Sequence, residues 1–90
     1  MIKIGKYEYE KSTRKHKKLM VKVDGKKIHF GDSRLQHFKD KTGIWKSLDH
    51  NDSKRRKNYL TRSAGIKDKN GNLTKDNPKS PNYHSRRILW

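Results

Sequence analysis

Residues 18–30, KLMVKV-DG-KKIHF, decide the fold. Two β-rich runs flank Asp24-Gly25, a dipeptide suited to the positive φ values of a two-residue hairpin turn. The spacing predicts strands over 18–23 and 26–30. Upstream, IKIGKYEYEK (2–11) places Ile2, Ile4, Tyr7 and Tyr9 around Gly5, and reads as one strand with a bulge or kink at the glycine. A polar basic loop, STRKHK (12–17), joins it to the hairpin. Three antiparallel strands are expected, with Arg14, Lys15, Lys17, Lys18, Lys26 and Lys27 clustered by the loop and the hairpin tip.

Downstream, Leu35 and Phe38 stand at helical spacing after Ser33, Gly43 interrupts, and Ile44, Trp45 and Leu48 form a compact apolar group expected at the centre of the core. The clearest helix is 52–63, DSKRRKNYLTRS. Asp49, Asn51 or Asp52 can cap it, Tyr59 and Leu60 give it a narrow apolar stripe, and Ala64-Gly65 ends it. Residues 65–82 form a polar stretch holding both prolines, with a tight turn at Asn70-Gly71 and a possible small hairpin between Ile66 and Leu73. Pro81 after Ser80 suits a first helical turn, and 83–90 is expected as a terminal helix that docks on the body. The predicted fold is α+β: a small three-stranded antiparallel sheet packed with two short helices and a long polar loop. The predicted core is Tyr9, Leu19, Val21, Ile28, Phe30, Phe38, Trp45, Leu60 and Trp90.

Charge dominates the composition. Twenty-five Lys and Arg face nine acids in 90 residues, for a net charge of +16. The excess spreads over the chain: +7, +4 and +5 in successive thirds. A compact body so charged repels itself and favours a polyanion, nucleic acid being the default partner. Ninety residues imply a single small domain with a thin core, since only 28% of residues are apolar. A chain that orders only on binding is the alternative, against which stand eight aromatics distributed along its length. The absence of cysteine excludes a disulfide scaffold and a Cys-based zinc finger, and agrees with a reducing intracellular setting. No apolar run approaches a membrane span, MIKIGKYEYE lacks a signal peptide's apolar stretch, and no segment joins a basic face to a broad apolar one. A membrane partner is therefore not expected.

The sharpest chemical feature is Lys54-Arg55-Arg56-Lys57 with Arg62, five cations on one helix. Guanidinium forks match phosphate geometry, so a phosphate-binding helix is the functional reading, and a solvated face paired with Asp49, Asp52 or Asp68 is the bland one. Arg86 and Arg87 form a second basic pair, which either binds phosphate or pairs with a core carboxylate while Trp90 packs. Five histidines (His16, His29, His37, His50 and His84) have no metal-site spacing, so no metal or other cofactor is expected. The segment from Asp68 to Asn72 lacks the glycine position and closing glutamate of a calcium loop, and reads as a turn. His50-Asn51-Asp52 raises a metal-dependent nuclease as an alternative, but acids are few and no nucleotide-binding glycine loop or small-molecule site is evident.

HFGDSRLQHFKD, HNDSKRRKNYLTRS and SRRILW together resemble a group of small basic uncharacterised proteins encoded by large double-stranded-DNA viruses and tailed phages. The matching positions are His29, Phe30, Gly31, His50, Asp52, Arg55 or Arg56, Tyr59, Arg62, Arg87, Leu89 and Trp90, and the first 25 residues lie outside the match. The resemblance implies a viral origin and supplies no settled activity, fold or site. Joined to the charge, it yields the expectation of a non-enzymatic virion component, in the minor capsid or on the genome. Such a protein would bind nucleic acid, most readily DNA without sequence preference, or an acidic capsid surface, through Lys and Arg. A viral regulator gripping an acidic host protein, such as transcription machinery, is the alternative. The expected location is the virion or the host cell interior.

Overall fold

A computed structural model describes residues 2–90. The chain forms four antiparallel strands in the order of the sequence: β1 (Ile2–Ile4), β2 (Tyr7–Lys11), β3 (Lys17–Val23) and β4 (Lys26–Asp32). Two helices follow, α1 (Ser53–Ser63) and α2 (Pro81–Ile88), with single 3-10 turns at Lys46–Leu48 and Thr74–Asp76. The class is α+β as the sequence predicts, but the sheet has four strands, because Gly5 turns the chain where a kinked single strand was expected. Its φ of +63° occupies the first central position of a two-residue turn, and Ile4 then pairs with Tyr7. At the second hairpin Asp24 and Gly25 both have positive φ (50° and 80°), as a turn matching the twist of its strands requires.

Register carries the alternation into a core. Ile2, Tyr9, Val21 and Ile28 line up across the four strands, and Leu19 pairs with Phe30. Of these, Tyr9, Leu19, Val21, Ile28 and Phe30 form the core with Val23, Ile88 and Leu89, and Ile4, Tyr7, Trp45 and Trp90 pack around its margin. Ser80 caps α2 by accepting from the Asn82 amide, and Pro81 opens the helix as that pair suggests, two residues before the expected 83–90. At its centre His84 is fully buried. Its Nε2–H donates to the Pro78 carbonyl (2.5 Å), which leaves Nδ1 to accept from the Tyr9 hydroxyl (2.9 Å). The Asn70-Gly71 turn closes a short ribbon in which Lys67 bridges Leu73 and the Thr74 amide reaches the Ile66 carbonyl (2.9 Å).

The 33–48 segment departs from expectation. Asp32 accepts from the Arg34 amide and guanidinium and makes a tight turn, so no helix carries Leu35 and Phe38. Leu35 and Ile44 are exposed, and Phe38, Leu48 and Leu60 are only half-buried. The core lies on the sheet. The segment serves as a strap, whose Lys39 and Lys41 amides donate to the carbonyls of Leu89 and Ile88 (3.0 Å each). Asp40 holds its shape, accepting from the amides of Thr42 and Trp45 (2.8 Å each).

Gly31 marks the tightest approach of helix to sheet. Its φ is +77°, and a Cβ there would lie 2.8 Å from Leu89 Cδ1 and 3.1 Å from Lys18 Cβ. Gly31→Ala is expected to cost about 2–4 kcal/mol, combining left-handed strain with overpacking. Gly25→Ala, with φ +80° but open space around it, should cost only about 1–2 kcal/mol. Urea unfolding of the two variants checks the difference. Burial holds both His84 and His37 below the ordinary imidazole value of 6.5. As pH falls through that value the unfolded chain therefore takes up protons that the fold refuses, and stability drops. The urea midpoint should be lower at about pH 5 than at about pH 7.5.

Candidate nucleic-acid interface

Helix α1 is built for exposure of charge. Asp52 caps it, its carboxylate accepting from the amides of Lys54 and Arg55 (3.0 and 3.2 Å). Within Ser53–Ser63 there are five cations and no acid. Half-buried Tyr59 and Leu60 and buried Ser63 face the body, which leaves Lys54, Arg55, Lys57 and Arg62 on the solvent side. Among the described residues, the ion pairs made by Lys or Arg are Arg34–Asp32, Lys75–Asp76 and Lys79–Asp24. None involves α1, so the pairings with Asp49, Asp52 and Asp68 that the bland alternative called for do not form. Arg55 instead donates to the neutral Gln36 side chain (3.1 Å). A shallow groove of about 540 Å³ runs along this face, bordered by Arg55, Lys57, Asn58, Arg62 and Trp90.

The acids go elsewhere. Asp32, Asp40, Asp49, Asp52 and Asp68 each accept a hydrogen bond from a backbone amide at a turn, strap or cap. Five of the nine carboxylates thus shape the main chain, and few remain to neutralise surface lysines and arginines.

The exposed cations expected to cluster between Arg14 and Lys27 divide between the two ends of the β3–β4 hairpin. Arg14, Lys15 and Lys17 lie exposed on the loop that enters β3. Beside them stands Arg34, since Lys17 pairs with Asp32 and the Ser33 amide donates to the His16 carbonyl. Gln36 then leads to Arg55, so loop, turn and α1 form one basic edge. Lys26 and Lys27 are not part of it. They sit at the opposite end of the β3–β4 hairpin, a strand length of about 20 Å away. The cluster expected from Arg14 to Lys27 is therefore two clusters. The second includes Lys6, Lys22 and Lys79, residues the sequence reading passed over. It is diluted by Glu8 in the cross-strand row Lys3–Glu8 and by Asp24, which pairs with Lys79 at 3.6 Å.

Two expected phosphate ligands are structural. Lys18 is 2% exposed, and its ammonium donates to His37 Nδ1 (2.7 Å). An ammonium has no acceptor, so His37 carries its hydrogen on Nε2 and donates it to Asp49 (2.5 Å). A neutral imidazole thereby links a buried cation to a carboxylate. Burial pushes the Lys18 amine down to about 8, against the pull of Asp32, Asp40 and Asp49, so it stays charged at neutral pH. Arg86 turns inward as well, donating to the Leu60 carbonyl (2.6 Å) and Ser63 Oγ (2.5 Å) at the end of α1. The pairing partner is a helix carbonyl where a core carboxylate was considered. Arg56 is exposed but tied down, with Nε on the Trp90 main-chain oxygen (2.7 Å) and its guanidinium over Phe38. Arg87 lies against Tyr83.

His37 and His50 are neighbours, the His50 amide donating to the His37 carbonyl (2.9 Å). His29 bonds Ser12, His50 Nδ1 accepts from the Asp52 amide, and among the described residues no three of His, Asp or Glu stand where they could share a metal ion. No helix of the described residues is long and apolar enough to cross a membrane.

Lys18→Met and Arg86→Ala should lower stability without changing how nucleic-acid affinity responds to salt. The first leaves the His37–Asp49 pair without its buried cation, at about 3 kcal/mol. The second removes two charge-assisted bonds, at about 1.5–3 kcal/mol. Urea unfolding beside a salt titration of binding checks both halves.

No family model matches the chain, and neither does any curated protein or solved structure.

Proposed function

We propose that the protein is a non-enzymatic nucleic-acid-binding protein that grips phosphates with the basic edge formed by α1, the 12–17 loop and the 32–36 turn. The observation that carries this is α1 itself, whose five cations are unopposed by any acid of the helix and, among the described residues, by any ion pair. Mutual repulsion on one helix face is costly to maintain without a polyanion to relieve it. Contacts of this kind supply affinity and little base readout. His50 and Asp52, whose adjacency raises the nuclease alternative, are engaged in the α1 cap. A role in the virion, on the genome or at an acidic capsid surface, rests on the sequence resemblance. An acidic host protein would use the same edge.

Affinity for nucleic acid should fall steeply with salt. Lys17→Ala, Arg55→Ala and Arg62→Ala should each lower the log–log slope by about 1. Lys26→Ala and Lys27→Ala, at the far end, should leave it nearly unchanged. A flat salt response would remove the nucleic-acid reading and leave the acidic-protein one. Absence of the protein from purified particles would remove the virion role.

A further inference from the structure

We propose that the cleft between the basic loop and α1 receives one unstacked base of a single-stranded nucleic acid. This deepens the nucleic-acid reading above and rests on it. The cleft has a volume of about 290 Å³. Phe30 and Leu89 line it from the core, Tyr59 and Trp90 from the side of α1, and Lys17 and Gln36 from the basic edge. A hollow with these apolar and aromatic side chains beside the polar Asp32, Asn82 and Ser85 thus opens between the two cationic elements, where a strand held by its phosphates would pass.

Two features of the rim favour a base as the occupant. Leu35, also lining the cleft, is 61% exposed, the most exposed large apolar side chain among the described residues. It sits on a fixed turn, closed by the Leu35 amide donating to the Asp32 carbonyl (3.1 Å) and by the Asp32–Arg34 bonds. An apolar residue held out among cations suits contact with a flat, uncharged base face. Beside it, the Gln36 amide oxygen is taken by Arg55, while its NH₂ has no protein partner among the described residues. That group can donate to a base edge. On the sheet, Tyr7, Tyr9 and Phe30 pack against His84.

The test compares a short oligodeoxythymidylate with the same oligomer made abasic, in fluorescence-anisotropy titrations over a range of salt. Both should show the same salt slope, and the abasic strand should bind about 5- to 100-fold more weakly, the worth of a stacked base. Leu35→Ala and Gln36→Ala alter exposed side chains. Each should bring thymidylate binding toward the abasic level with the slope unchanged, circular dichroism confirming the fold. Equal affinity for the two strands, or variants that bind thymidylate as the parent does, would overturn the cleft proposal and leave phosphate binding intact. If neither strand binds with a salt-dependent affinity, the underlying nucleic-acid reading fails as well.

Discussion

The buried imidazole of His84 is the contact on which the other packing depends. It accepts from the Tyr9 hydroxyl on β2 and donates to the Pro78 carbonyl, and its ring meets Tyr7, Tyr9, Phe30 and Tyr83. Three separate parts of the chain (the first hairpin, the proline-bearing stretch and α2) converge on one ring. A chain with few apolar residues has little else with which to seat a helix on a sheet, and a neutral histidine supplies area and two directed bonds together. Burial holds the imidazole below its ordinary value against the pull of the Pro78 carbonyl, and the bond that Nδ1 accepts from Tyr9 needs the neutral ring. With α2 seated, Leu89 meets Gly31, the strap closes over Ile88 and Leu89, Arg86 caps the end of α1, and Trp90 stacks on Tyr59 at 4.1 Å.

The placement of α1 thus follows from α2, and the placement of charge follows from both. Self-repulsion in a body of net charge +16 is eased in two ways. Lys18 is removed from the surface into a relay through His37 to Asp49, and Arg86 is absorbed at a helix end, where carbonyls offer partial negative charge. The remaining cations face solvent. Because most aspartates hold backbone amides, the surface on which those cations gather has few internal counter-charges. The same residues that shape the turns therefore leave the basic edge open to an external anion.

Local signals were legible wherever geometry depends on neighbours in sequence. Asp24-Gly25, the Asp52 cap, Ser80-Pro81 and the Asn70-Gly71 turn each announce a backbone conformation through their own chemistry, and alternation in β3 and β4 places Leu19, Val21, Ile28 and Phe30 inward. Gly5 was recognised as a break, but its sequence does not separate a bulge from a turn; only the pairing of Ile4 with Tyr7 does. In 33–48, helical spacing misled, because Asp32 captures Arg34 and the turn wins over a two-residue apolar pattern. Arg34 and Gln36 were missed as site residues, although the Asp-Ser-Arg turn was a readable signal for the first.

The sequence by itself determined the net charge and the class of fold, since charge counts and hairpin signals need no long-range information. Tertiary structure decided which cations face solvent. Lys18 and Lys17 are adjacent and chemically identical, yet one is buried against His37 and the other is exposed. Lys26 lies near Lys17 in sequence and a strand length away in space. Whether a charge meets solvent depends on register and on what packs over it, and those are fixed by contacts between residues far apart in the chain.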